Sequence, residues 1–212
     1  MALRTWSSQK VKRGLSFSDV LALPKVEEHV ELRSRFGFMA FHGGNLERRT
    51  DWIAWEAAQR SDASVYTVSQ PPGTRHHFPS ATVLPAHSYD LRRFVEHCEV
   101  VITVHGFGRQ GHWDDLLLGG QNRVLADHAG AIMRETLPER YNVVTDIDAI
   151  PKSLRGLHPD NPVNQPVEAG MQLELPPGIR GLTPAADKFP APFPHLELLI
   201  EALARSARTF SV

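Results

Sequence analysis

Apolar residues gather in this chain into a few uninterrupted runs, and two of those runs stop on histidine. Phe36-Gly37-Phe38-Met39-Ala40-Phe41 leads into His42-Gly43-Gly44, and Val100-Val101-Ile102-Thr103-Val104 leads into His105-Gly106. Runs of this length bounded by turn residues read as buried strands. Gly170 to Leu175 predicts a third strand of another kind, in which Met171, Leu173 and Leu175 alternate with Gln172 and Glu174. Ser64 to Val68 alternates as well, and Trp113 to Leu118 and Tyr141 to Thr145 supply two further strands. Helices are predicted between them. One runs from Thr50, read as its cap, to about Arg60, with Trp52, Ile53 and Ala57 on an apolar face. Ser88 caps another through about His97. A third spans Arg123 to Thr136, after the break at Gly119-Gly120-Gln121-Asn122. The last runs from Pro194 to about Thr209, with Leu196, Leu199, Ile200 and Leu203 on one side.

Strands alternating with helices argue for an α/β layered domain. Residues 1–34 read as an N-terminal arm and irregular lead-in packed on that domain, which occupies residues 35–212. Within the lead-in, Ser16 to Leu23 forms a short helix or turn, and Val26 to Arg35 is polar with scattered valines. Between Ser153 and Gly170 the chain is rich in Pro, Asn and Gly, which at this length suggests a site-forming loop.

At 212 residues one domain is the default. A formal net charge of −1 leaves no electrostatic footprint for nucleic acid or an anionic membrane. The single cysteine, Cys98, excludes an internal disulfide and a thiolate-rich metal site, and reads as a small buried residue at a helix end. The first residues lack the apolar core of a secretory signal, and no apolar run approaches the length of a bilayer span. A cytoplasmic monomer is expected, with release by cell lysis leaving no mark in the sequence.

The chemistry gathers at the strand ends. In open α/β sheets, sites form outside the carboxyl ends of the strands, where His42 and His105 both fall. Two histidines and a carboxylate such as Glu47 make a zinc set when a fold brings them together, and a second carboxylate nearby can activate water. Glu47 also reads as a solvated acid near a helix start. Glu174 either faces water or lines the site, where burial would raise its pKa and suit it to general-base work. Other groupings carry less. His76 and His77 are neighbours in extended chain and point apart, so both cannot readily hold one ion. No Gly-x-Ser-x-Gly motif is present. Gly106-Phe107-Gly108-Arg109-Gln110-Gly111 matches a dinucleotide fingerprint, but no convincing helix opens there.

Taken in order, six motifs resemble those of the poly-γ-glutamate hydrolase family of bacteria and their phages, from about residue 35 to the end. They are His42-Gly43-Gly44-Asn45-Leu46-Glu47, His77-Phe78-Pro79-Ser80, Val104-His105-Gly106, Leu118-Gly119-Gly120, Asn161-Pro162-Val163-Asn164, and Gln172-Leu173-Glu174-Leu175 with Ile179-Arg180. The resemblance implies a zinc carboxypeptidase-like fold: a single three-layer α/β domain with a mixed, mostly parallel central sheet flanked by helices. It implies Zn2+ held by His42, Glu47 and His105, and Glu174 as the base that moves a proton from water to the leaving nitrogen. His77, Asn161, Asn164, Arg180 and Arg123, with Arg109, are then candidates for holding substrate carboxylates or steadying the oxyanion. The substrate implied is a γ-glutamyl polymer.

One position departs from the expected pattern. Gln165 follows Asn164 where an arginine is expected, and an amide cannot reproduce the two-bond grip of a guanidinium on a carboxylate. Cell-wall γ-glutamyl peptides or small acylamino acids are alternative substrates for the same zinc site. A non-catalytic binding protein on this fold is the alternative of another class, and the intact set His42, Glu47, His105 and Glu174 argues against it.

Overall fold

The computed structural model describes residues 11–182 and 193–211. In chain order its elements are β1 (Lys12–Arg13), α1 (Phe17–Leu21), β2 (Glu27–Glu31), β3 (Phe36–Gly44), α2 (Thr50–Ser61), β4 (Ser64–Gln70), β5 (His76–His77), α3 (Tyr89–His97), β6 (Val100–Gly106), β7 (Asp115–Gly119), α4 (Arg123–Thr136), β8 (Asn142–Val144), β9 (Gly170–Leu175) and α5 (Pro194–Thr209). Seven strands form one sheet in the order β2-β4-β3-β6-β9-β7-β8. The central β4, β3, β6 and β9 run parallel, β2 is antiparallel to β4, and β7 is antiparallel to β9. The sheet is therefore mixed and mostly parallel.

Helices cover both faces, which is why the central strands are apolar on both sides. Phe36, Phe38 and Ala40 of β3, with Val100, Ile102 and Val104 of β6, pack with Ile53 of α2, Leu125 and Ala129 of α4, and Leu199 and Leu203 of α5. The intervening Met39, Phe41 and Val101 pack with Phe17 and Val20 of α1 and with Leu91 and Phe94 of α3. Strand alternation thus sorts the core into two clusters with the sheet between them. Cys98 ends α3, buried in the second cluster. A Cβ on Gly37 would stand 2.7 Å from its sulfur, so helix and strand are in close contact there. Burial pushes the Cys98 thiol up to about 12.

Several expectations need correction. Within the lead-in expected to be irregular, Glu27–Glu31 forms β2, which pairs along its length with β4 as an edge of the main sheet. An edge strand needs only one apolar face, and here Val30 faces the core among Glu27, Glu28, His29 and Glu31. Residues 1–10 of the expected arm lie outside the described residues. Thr50 does not cap α2. Arg49 precedes the helix with φ +72°, and the Thr50 hydroxyl donates to the Glu47 carbonyl at 2.8 Å. The apolar face of α2 is Ile53, Ala54, Ala57 and Ala58, while Trp52 is exposed. Trp113 and Tyr141 fall just outside β7 and β8. The Ser88 cap forms, its hydroxyl accepting from the Leu91 amide, and Asn122, read only as part of a break, caps α4 by accepting from the Leu125 amide. Among the described residues, no helix is long and apolar enough to cross a membrane.

Candidate active site

β3, β6 and β9 are neighbours that run the same way, so their carboxyl ends lie side by side. His105 of β6 pairs in register with Glu174 of β9, which puts the two side chains on one face. Strict alternation would send Phe41 and His42 to opposite faces of β3. The register shifts between Ala40 and Gly43, and such a bulge re-aims a side chain. The His42 ring accordingly lies 4.9 Å from the Phe41 ring and 5.1 Å from the His105 ring.

Glu47 closes the group from the turn after β3, where its amide donates to the His42 carbonyl at 2.9 Å. One carboxylate oxygen lies 2.9 Å from His42 Nδ1. The other lies 3.2 Å from His105 Nδ1 and accepts from the Gly106 amide at 2.8 Å. Donor atoms of His42, Glu47 and His105 all lie within 4.8 Å of one another, as a shared metal ion requires. The tautomer of His42 is set from behind. Its Nε2 lies 2.9 Å from the Phe78 carbonyl, which can only accept, so Nε2 carries the proton. Nδ1 of neutral His42 then turns a lone pair toward a carboxylate oxygen, an arrangement that requires a cation between them or a second ring proton. His105 Nε2 is buried with no hydrogen-bond partner in the protein. These residues fit a divalent metal of the zinc type by donor chemistry and by spacing. Burial opposes ionisation of Glu47, but positive charge at the two histidine positions outweighs it and holds the carboxyl well below the usual range.

Glu174 is the opposite case. It is 5% exposed, and burial pushes its carboxyl up to about 7, with His105 opposing the rise and Glu47 adding to it. Its Oε1 accepts from Gln172 Nε2 at 3.0 Å. His42, Glu47, His105 and Glu174 share the wall of one cavity of about 660 Å³. A second cavity of about 330 Å³ meets the first at Glu47 and at Gly106 to Gly108.

A family model for poly-gamma-glutamate hydrolase matches residues 20–183. The chain belongs to that family. The match takes in β2 and stops short of α5, whereas the motifs pointed to residue 35 onward and to the chain end. Among solved structures, this hydrolase is similar to a bacteriophage poly-gamma-glutamate hydrolase, with TM-score 0.69 and 16% identity over 85% of this chain and 87% of that one. It is also similar to zinc-free YNDL, with TM-score 0.62 and 18% identity over 87% of this chain and 90% of that one. A proposed carboxypeptidase from Burkholderia mallei shares the fold more loosely, with TM-score 0.50 and 11% identity over 91% and 66% of the two chains. None of the curated proteins matches the chain.

The remaining candidates divide by position in the hydrolase. His77 lines the larger cavity, with its ring 5.0 Å from that of His42, while His76 does not line it. Asn161 lines it too, 2% exposed and donating to Gln172 Oε1 at 2.8 Å. Arg180 lies against Gly106, where a Cβ would stand 2.6 Å from its guanidinium carbon; only glycine allows that approach. Arg180 donates to the Arg48 carbonyl at 2.9 Å and lines the smaller cavity with Arg48 and Arg75. Burial lowers its pKa to about 10 against the pull of Glu47 and Glu174. Asn164 and Arg123 line neither cavity. The Asn164 amide donates to the Gly156 and His158 carbonyls, and Arg123 donates to the Leu118, Gly120 and Thr145 carbonyls; both brace loops. Gln165 lines neither cavity either. Instead Arg75, Arg109 and Lys152 line the larger one. Arg75, Lys152 and the Phe78 carbonyl had no role in the sequence reading, because each reaches the site through the path of a loop.

Proposed function

We propose that this hydrolase cleaves γ-glutamyl amide bonds of poly-γ-glutamate, using zinc held by His42, Glu47 and His105 and Glu174 as the base. The observation that carries the reading is the Glu47 carboxylate set between two imidazole Nδ1 atoms on a cavity wall that also holds Glu174. Zinc bound there would polarise the scissile carbonyl and make the attacking water more acidic. Glu174 takes a proton from that water and delivers it to the leaving nitrogen. Its place on the cavity wall, buried and held by Gln172, suits it to accept and give a proton there. Arg180, pressed against Gly106, is a buried cation available to steady the oxyanion.

The cavity walls support an anionic substrate. A γ-linked glutamate chain keeps one α-carboxylate per residue, and Arg75, Arg109 and Lys152 line the cavity that would receive it. These cations favour the polymer over small acylamino acids.

The test is gel analysis of high-molecular-weight poly-γ-glutamate incubated with zinc-loaded protein, with chelated and zinc-restored controls. The expected outcome is shortening that chelation abolishes and zinc restores. Intact polymer with about one zinc per chain would keep the metal centre and move the substrate to cell-wall γ-glutamyl peptides. Well-folded protein that takes up no zinc would overturn the reading.

A further inference from the structure

Gln172 and Glu174 are two apart on β9, so they stand side by side on one face of the strand. Gln172 lines the catalytic cavity but is only 4% exposed, and its amide is committed inward. A glutamine amide offers an acceptor oxygen and two N–H donors. Here the oxygen accepts from Asn161 Nδ2 at 2.8 Å, while Nε2 donates to the Leu154 carbonyl at 3.3 Å and to Glu174 Oε1 at 3.0 Å. Turning the amide over would set its oxygen against a carbonyl and a carboxylate, and its N–H groups against those of Asn161. Asn161 is fixed in turn, because its Oδ1 caps the Val163 amide at 3.4 Å. Gly156 closes the remaining side with φ +64°. A Cβ there would stand 2.6 Å from Gln172 Oε1, so the loop lies directly on the amide.

We propose that Gln172 is a positioning residue for Glu174, and that Asn161 acts through Gln172 by fixing which end of its amide meets the carboxylate. The proposal rests on Glu174 being the base. The chain of bonds runs in one direction, from the Val163 amide through Asn161 and Gln172 to Glu174 Oε1. It engages that single oxygen and so restricts the rotation of the carboxyl group, leaving Oε2 as the oxygen that takes the proton. Asn161, one of the candidates from the motifs for holding substrate carboxylates or steadying the oxyanion, is here part of the support of the base.

The test compares kcat and KM for Gln172→Met, Asn161→Asp, the double variant and Glu174→Gln, all zinc-loaded and checked for metal content and melting temperature. Gln172→Met keeps the volume and removes the donor. Asn161→Asp keeps the cap on Val163 but turns a donor into an acceptor, which favours the reversed amide. Each single change is expected to lower kcat about 10- to 100-fold with KM within about twofold, the scale of a misplaced catalytic group. The double variant is expected to be no worse than Gln172→Met alone, because the two residues act in series. If Gln172→Met does not fold, Asn161→Asp carries the test by itself. A kcat within about twofold of the parent in either folded single variant, or losses that multiply in the double variant, would overturn the proposal. Near-parent turnover in Glu174→Gln would remove the base itself and the proposal with it. An inactive Glu174→Gln beside a normal Gln172→Met would remove the positioning role alone.

Discussion

His42 has one proton to give when neutral, and it gives that proton to the Phe78 carbonyl rather than to Glu47. The metal reading begins from this bond, since it leaves two electron-rich atoms facing each other at 2.9 Å. Glu174 makes a separate and measurable statement in the metal-free protein. Its carboxyl is raised from 4.5 to about 7 on folding, so the folded chain holds that proton more tightly than the unfolded one. Stability from this group is intact below about pH 4.5 and falls as pH rises through about 7, by about 3 kcal/mol in all. Metal-free Glu174→Gln is therefore expected to be more stable than the parent at pH 8, with the gap closing toward pH 5. Urea denaturation in chelator at both pH values measures it, and a gap that widens toward pH 5 would contradict the burial of the charge. At this scale His42 and His105 were legible because a buried strand that stops on histidine is unusual. Arg123 and Asn164 line neither cavity, because a motif fixes the order of residues and not the direction in which a side chain leaves a loop. The use of Gln172 depends on Asn161, eleven positions earlier, and no local pattern encodes that pairing.

Elements were most readable where they are apolar on both faces. The runs ending in His42 and His105 became adjacent parallel strands, and α5 kept its expected bounds because its apolar stripe repeats at helical spacing. The edge strand β2 was missed, because an exposed strand of Glu, His and Val resembles a loop. It is pinned by a particular contact. The Tyr66 hydroxyl of β4 donates to Glu28 Oε1 at 2.6 Å, and the Ser88 hydroxyl, which also caps α3, bonds to the same oxygen. Glu28 thus ties β2, β4 and the start of α3 together. Tyr66→Phe is expected to cost about 2 kcal/mol, the scale of a hydrogen bond to a charged group, with zinc content and kcat unchanged. Urea denaturation with elemental analysis decides it. A loss of metal would mean that the edge and the site are coupled.

Charge is distributed unevenly in the whole molecule. The net value of −1 conceals a cavity with Arg75, Arg109 and Lys152 on its wall. Composition therefore gave no hint of an anionic substrate, because a net charge sums over the whole chain and carries no positions, and the same wall also holds Glu47 and Glu174. Lys152→Ala is expected to raise KM for long poly-γ-glutamate about two- to fivefold at low salt, the scale of one exposed ion pair, and to leave kcat unchanged. The difference is expected to shrink at high salt, where charges beyond a few ångströms are screened. Steady-state kinetics at two ionic strengths checks this, and a salt-independent rise in KM would point to shape instead of charge.

The lone thiol has a consequence of its own. Cys98 sits between the end of α3 and Gly37, buried and protonated far above neutral pH. A thiol reagent reaches it only while that helix stands away from the sheet. The rate at which unmodified protein takes up such a reagent is thus a native clock for the parting of the two layers, set to a single atom.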